Sequence, residues 1–245
     1  MRPDEFRTGV ISPVECFKEG WEIIKGDYWM LFAVTLVGAL IGGASMYILL
    51  GAMMCGIYYC YLQKIDGGGK VYFEGLFKGF NYFVPSLLVT LLIIVPMIVV
   101  FAIMYVPIIA AAMMGPQLRP EQFLTLMGGA LVVELIFAVV MVCLHTLLIF
   151  AFPLIIDRGL SASEAIRTSA RAVLKNLSGV AGLIGVSFVL TLIGYAALCI
   201  GLYFVIPVIV AGFTVAYRRI FPAMHQPQYN NPPAPDAFRG AGNYN

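Results

Sequence analysis

Val84-Pro85-Ser86-Leu87-Leu88-Val89-Thr90-Leu91-Leu92-Ile93-Ile94-Val95-Pro96-Met97-Ile98-Val99-Val100-Phe101-Ala102-Ile103-Met104-Tyr105 decides the fold. The run continues without a charged side chain to Met114, thirty-one positions in all. About 20 apolar residues in a helix cross the hydrocarbon core of a bilayer, so this stretch predicts a membrane span. Apolar stretches of similar length run from Tyr28 to Leu62, from Phe123 to Ile156 and from Leu177 to Tyr217. Across the 245 residues, 61% are hydrophobic and 11% charged, against roughly 45 to 50% and about 25% in soluble domains. A water-soluble fold has no place to hide that surplus, so the expected class is an all-α, polytopic helical membrane protein.

The four stretches divide into six crossings. As one helix, Tyr28 to Leu62 would measure about 52 Å against about 30 Å of hydrocarbon. Gly42-Gly43-Ala44-Ser45 offers the permissive backbone that a reversal needs. The same length argument splits Leu177 to Tyr217 near Gly194 to Gly201. Spans are therefore expected at about 28–42, 46–62, 84–112, 123–152, 177–195 and 200–217, as three hairpins. The two central spans are separated by Gly115-Pro116-Gln117-Leu118-Arg119-Pro120-Glu121.

Charge gives the sidedness. Fourteen of the fifteen Lys and Arg fall in the N-terminal segment, at 63–83, at 153–176 or after residue 217, and Arg119 alone falls on the other face. Basic residues are retained on the cytoplasmic side, so both termini are expected there. Residues 1–27 lack the basic, apolar, small-residue order of a cleavable signal, which leaves the first span as the insertion signal. Residues 222–245, rich in Pro, Asn and Gln, read as a disordered tail.

An interfacial amphipathic helix is expected before each hairpin. Ser12-Pro13-Val14-Glu15 combines an N-cap serine, a first-turn proline and a capping-box glutamate. Val14, Phe17, Trp21 and Ile24 then recur at helical spacing, and a Trp-bearing face of this kind suits lipid headgroups. Ser161-Ala162-Ser163-Glu164 repeats the cap, followed by Ala165, Ile166, Val173 and Leu174. The middle copy, Glu74 to Phe83, keeps the face Phe73, Leu76, Phe77 and Phe80 but carries Gly75 and Gly79, which weaken a helix. Gly56 lies five residues before Tyr61 and Gly212 five before Tyr217. Together these coincidences suggest three parallel repeats of about sixty to eighty residues.

The run Phe152-Pro153-Leu154-Ile155-Ile156-Asp157-Arg158-Gly159-Leu160-Ser161-Ala162-Ser163-Glu164-Ala165-Ile166-Arg167-Thr168-Ser169 resembles a motif in a broad group of bacterial membrane proteins. That group includes the membrane domain attached to some glycerophosphodiester phosphodiesterases and the YciC-like proteins. The opening Ile11 to Trp29 segment is similar to their N-terminal interfacial helix. The resemblance implies a six-helix, non-catalytic module of the bacterial inner membrane. The phosphodiesterase chemistry of that group belongs to a separate soluble barrel, for which this chain has no room. Asp157, Arg158, Gly159, Glu164, Ala165 and Ser169 transfer as motif positions without an assigned role.

Few residues invite chemistry. Glu134 is the sole acid and His145 the sole histidine inside an expected span. Eleven helical residues return to within about 20°, so the two share one face about 16 Å apart. An ionisable group in hydrocarbon costs at least about 2.5 kcal/mol, which predicts that Glu134 faces the bundle or a wet cavity. Such a face serves proton relay or substrate binding in one reading and mere hydrogen bonding to neighbouring helices in the other. Arg167, Arg171 and Lys175 form a basic stripe that either binds anionic phospholipid headgroups or only sets topology. Asp157 and Arg158 are expected to pair locally and fix the angle of the next helix.

Pro96, Pro107 and Pro207 each remove a helical donor and predict kinks. Gly38 and Gly42, and Gly179, Gly182 and Gly185, allow close helix packing. Cys16, Cys55, Cys60, Cys143 and Cys199 form no C-x-x-C pair and read as small buried apolar residues. No nucleophile elbow, zincin motif, Walker loop or metal cluster is present, and Gly67-Gly68-Gly69-Lys70 lacks phosphate-loop spacing. The expectation is a non-enzyme without cofactor or metal, whose partners are the bilayer and other membrane proteins, not nucleic acid. Its function is read as a scaffold or subunit of an envelope or lipid-associated assembly. The alternative is a transporter or lipid-translocating protein with a cavity around Glu134 and His145. An intramembrane enzyme would need further polar residues, such as Thr125, Thr146, Ser187 or Thr191, converging on the same point.

Overall fold

The computed structural model describes residues 5–67, 69–113, 119–197 and 200–223. The expected tail beyond residue 223, the turn at 115–118 and Cys199 lie outside the described residues. Among the described residues every regular element is helical: α1 (Pro13–Ile24), α2 (Tyr28–Ala44), α3 (Leu50–Ile65), a 3-10 helix (Phe73–Tyr82), α4 (Phe83–Met113), α5 (Pro120–Leu147), α6 (Ala151–Arg158), α7 (Ala162–Lys175), α8 (Leu177–Ala196) and α9 (Ile200–Ile220). Five stretches are long and apolar enough to cross a membrane: Pro13–Ala44, Phe73–Tyr105, Met127–Arg158, Leu177–Ala196 and Ile200–Ile220. The α4 assignment runs unbroken past Pro96 and Pro107, and α9 past Pro207, so none of the three prolines ends its helix.

The second expected span does not meet that length. α3 has sixteen residues, about 24 Å at 1.5 Å per residue. It starts at Leu50 because residues 45–49 are used in the reversal. There the Ser45 hydroxyl donates to the Gly42 carbonyl and accepts from the Leu49 amide. Met46 and Tyr47 both take left-handed backbone, at φ 50° and 69°, a conformation that disfavours residues with a Cβ by roughly 1–2 kcal/mol each. α3 then packs back on α2, with Gly38 against Ile57 and Leu76, and Gly42 against Leu50. Thr35 Oγ1 and Tyr61 OH share a buried hydrogen bond of 2.9 Å. The G-x-x-x-G pair thus serves packing within the chain.

α3 is the hub, touching α2, the 3-10 helix, α4, α6 and α9. Its closest seam is with the 3-10 helix. That helix has three residues per turn, so positions i and i+3 eclipse and Leu76 and Gly79 stack in one column against α3. The sequence grouped Phe77 and Phe80 with Phe73 and Leu76 on one apolar face by assuming an α-helical period. Phe77 and Phe80 are exposed, while Gly75, Leu76 and Gly79 are buried. A Cβ on Gly56 would collide with the Leu76 carbonyl, and one on Gly79 with the Ala52 carbonyl.

Two other seams are built in a related way. α1 runs antiparallel along α9, with Glu15 and Glu19 at Arg219, Gly20 against Ala211 and Gly212, and Phe17 against Gly212. The face it buries is Cys16, Phe17, Gly20 and Ile24; Val14 and Trp21, assigned to that face by spacing, are exposed. α7 buries Ala162, Ala165, Thr168, Ser169, Ala172 and Val173, leaving Leu174 outside. On α7 the buried face is made mostly of small residues, which let the helix backbones approach, whereas α1 pairs Gly20 with the larger Phe17 and Ile24. Gly179 and Gly182 of α8 receive Ile11 and Pro13 of the N-terminal strap, and Gly185 meets nothing within 4 Å.

Between α5 and α6 the helix breaks at residues 148–150. Pro153 has no amide hydrogen, so it leaves the Ile149 carbonyl without its helical donor. Ser169 on α7 repairs the neighbouring backbone: its hydroxyl donates to Leu147 O at 2.7 Å and accepts from Phe150 N at 3.2 Å. Near this break Phe150 packs with Tyr217 and Phe221, three of the largest fully buried side chains.

Candidate functional site

The main polar cluster lies where α3, α6 and α9 end. Arg218, in the last turn of α9, makes two bidentate contacts. Nε and Nη2 donate to the two carboxylate oxygens of Asp66 at 2.8 and 2.7 Å. Nη1 and Nη2 donate to Asp157 at 2.7 and 2.6 Å. Tyr217 OH adds a further bond to Asp157 at 2.7 Å. Asp66 caps α3 and Asp157 lies in the last turn of α6, so one guanidinium clamps three helix ends. The fork of donors on arginine suits such pairing in a way that lysine does not.

The expected pairing of Asp157 with Arg158 is present, but it is the longest of the polar contacts of Asp157. Their side chains come within 4.0 Å, whereas the short bonds of Asp157 go to Arg218 and Tyr217. Arg158 turns the other way, with a side chain that is fully buried. Its Nη1 donates to Glu5 O at 3.2 Å and its Nη2 to Pro222 O at 3.3 Å. The guanidinium also lies 5.0 Å from the centre of the Phe221 ring. The clamp borders a cleft of about 270 Å³ lined by Tyr59, Leu62, Gln63, Asp66, Ile156, Asp157 and Arg218. At its edge Lys78 donates to Tyr59 OH at 2.6 Å.

The remaining motif positions acquire structural roles. Gly159 ends α6 in left-handed backbone at φ 64°, where a Cβ is strained. Ser161 caps α7 in a reciprocal capping box with Glu164, whose Oε2 accepts from the Ser161 amide and hydroxyl at 3.1 and 2.7 Å. Those bonds hold the Glu164 carboxyl below its usual range. Ala165 is fully buried, and Ser169 supports the helix break.

The intramembrane pair does not converge. Glu134 is exposed, as are Leu131, Val132, Val133, Leu135 and Ile136 around it. Of the two surroundings expected for it, the packed bundle is not the one Glu134 takes among the described residues. His145 stands beside the helix break, its Nδ1 2.9 Å from Met141 O. One side of its ring borders an apolar cavity of about 650 Å³ between α3, α4, α5 and α8. Ala138 is the lining residue nearest to Glu134 along α5, so Glu134 lies a turn beyond. Arg167, Arg171 and Lys175 are all exposed on α7. Cys16, Cys55 and Cys60 are buried, whereas Cys143 is exposed. Among the described residues no group of three His, Cys, Asp or Glu could hold a metal ion.

No protein-family model matches the chain, and no curated protein or solved structure matches it. The clamp itself escaped the sequence reading. Its only signal was three charges of complementary sign, Asp66, Asp157 and Arg218, each at the end of a long apolar segment.

Proposed function

We propose that the chain is a non-enzymatic integral membrane module, a scaffold or subunit of an envelope or lipid-associated assembly. The observation that carries this reading is the Asp66–Arg218–Asp157 clamp. The ionisable groups of this cluster are engaged with one another across three helix ends, which ties a bundle together. In this reading six spans form three hairpins in a bacterial inner membrane, with both termini cytoplasmic. α1, the 3-10 helix and α7 lie near the interface, where Arg167, Arg171 and Lys175 meet anionic phospholipids.

An internal threefold repeat is supported by three aligned segments, Glu15-Cys16-Phe17 to Gly20, Glu74-Gly75-Leu76 to Gly79, and Glu164-Ala165-Ile166 to Ser169. Each places its last small residue at a close backbone contact: Gly20 on α9, Gly79 on α3 and Ser169 on the turn after α5. The shortness of α3 is compatible with a crossing if the bilayer thins locally.

The competing reading, a transporter or lipid-translocating protein, is favoured by the cavity beside His145. Single-cysteine labelling along α5 separates the two. In a cysteine-free full chain, residues 134, 138, 141, 142 and 145 should resist a water-soluble maleimide and react only with a membrane-permeant one. Water-soluble labelling along the cavity face of α5 would overturn the scaffold reading and establish an aqueous path.

A further inference from the structure

The cavity beside His145 has a shape and chemistry that select its occupant. It is walled by Met54 and Tyr58 of α3, Ile93 of α4, Ala138, Met141 and Val142 of α5, and Ile184 of α8, among others. The break at 148–150 opens it, since α5 leaves the line of α6 there and stands off from α3. Two of its polar side chains are already bonded to their own helix: Thr146 Oγ1 donates to Val142 O at 2.7 Å, and His145 Nδ1 is held at Met141 O. A water needs two to four polar partners to stay in a cavity, and this lining offers few. The volume of about 650 Å³ is room for on the order of twenty methylene-sized groups at about 30 Å³ each. Val142 both lines the cavity and is 61% exposed, and Val139, Val140 and Leu135 beside it are exposed as well. The cavity is therefore continuous with the apolar outer surface that, in a bilayer, faces lipid.

We propose that this cavity is a lateral binding site for one hydrocarbon chain of a membrane lipid, entered from the bilayer between α5 and α8. The chain lies against Met54 and Tyr58 and passes His145 and Thr146 at the helix break. The proposal rests on the membrane-embedded reading and is independent of whether the module scaffolds or translocates.

The test uses the full chain in vesicles containing a phosphatidylcholine with a photoactivatable diazirine near the end of one acyl chain. Crosslinked residues are mapped by peptide mass spectrometry. Annular lipid can reach Leu135 and Val139, which are exposed, but not Tyr58, which is 7% exposed at the back of the cavity. Crosslinks on Met54 and Tyr58 are expected, together with the annular ones. Ala138→Trp, which fills the mouth, should lower the α3 crosslinks at least tenfold and leave those on Leu135 and Val139 unchanged. Val142→Phe provides a second plug should the first variant fail to fold. Annular crosslinks with none on α3, or α3 crosslinks indifferent to both plugs, overturn the proposal. Absence of the annular crosslinks as well would instead overturn the membrane-embedded reading on which it rests.

Discussion

Gly56→Ala tests the seam between α3 and the 3-10 helix most directly. The new Cβ would meet the Leu76 carbonyl oxygen, with the Leu76 carbonyl carbon at 2.6 Å and its Cα at 3.0 Å, where ordinary contact begins at 3.4 Å. All three are backbone atoms, so no rotamer change relieves them and the 3-10 helix must move off α3. Overpacking costs about 1–3 kcal/mol, and a backbone clash belongs at the upper end. Alanine recovers about 1 kcal/mol of helix propensity, leaving a net loss of about 2 kcal/mol. At about 2–4 °C per kcal/mol for a chain of this size, the midpoint should fall by about 4–8 °C. The assay is thermal unfolding in detergent with a fluorogenic thiol dye, in a Cys143→Ser, Cys199→Ser background so that only buried Cys16, Cys55 and Cys60 report. Gly212→Ala should cost less, because its new Cβ meets the Phe17 ring, which can shift. Gly185→Ala meets nothing and should gain up to about 1 kcal/mol. A Gly56→Ala protein that melts at or above the wild type refutes the seam.

Arg218→Gln strips Asp157, only 15% exposed, of its bidentate cation and leaves it Tyr217 and the more distant Arg158, so the loss should fall at or below about 3 kcal/mol, the lower end for a broken buried pair; equal melting of the variant and wild type would remove the clamp from the fold. Asp66→Asn should cost less, because Asp66 is 36% exposed, and a loss as large as that of Arg218→Gln would contradict the description. Ser169→Ala orphans a buried amide and carbonyl at the helix break and should cost about 1–3 kcal/mol, with faster hydrogen exchange at Phe150 as the local readout. Glu164 has a lowered carboxyl pKa, so its cap contributes fully above the unfolded carboxylate range of about 4.3 and is lost as pH falls through the folded value. Protection at the first turn of α7, after correction for the intrinsic exchange rate, should therefore fall on acidification, and Glu164→Gln should flatten that dependence. In the scaffold reading Glu134→Gln leaves assembly and melting unchanged, because Glu134 stands outside the packed core.

Much of the fold was legible because hydrocarbon imposes a coarse requirement. Long uncharged runs such as Val84 to Met114 can be read without knowing what they touch, and the Ser161–Glu164 capping box announces a helix start locally. What depended on backbone distance was not legible. Nothing in the spacing of Phe73, Phe77 and Phe80 shows that this segment winds as a 3-10 helix, so the buried column became Leu76 and Gly79 instead. Val14, Trp21 and Leu174 fit an amphipathic pattern, yet the contacts within the chain fall on a face turned away from them. Asp157 was read against its neighbour Arg158, whereas its closest cation lies sixty-one residues away. Long-range pairing of that kind leaves no periodic trace. Glu134 and His145 share a helical face in projection, but α5 loses its neighbours between them, so one angle does not mean one environment.

Arg158 holds the carbonyls of Glu5 and Pro222 from one guanidinium, and the Arg7 amide donates to Ile220 O at 2.9 Å. The two ends of the described chain therefore leave the bundle from a single point. Anything fused or recruited to either end would share that point, and two halves of a split reporter attached there would find each other within one molecule. The same junction makes the ends mutually dependent: a ligand that pulls the segment after Pro222 away also strips a bond from the strap that carries Glu5.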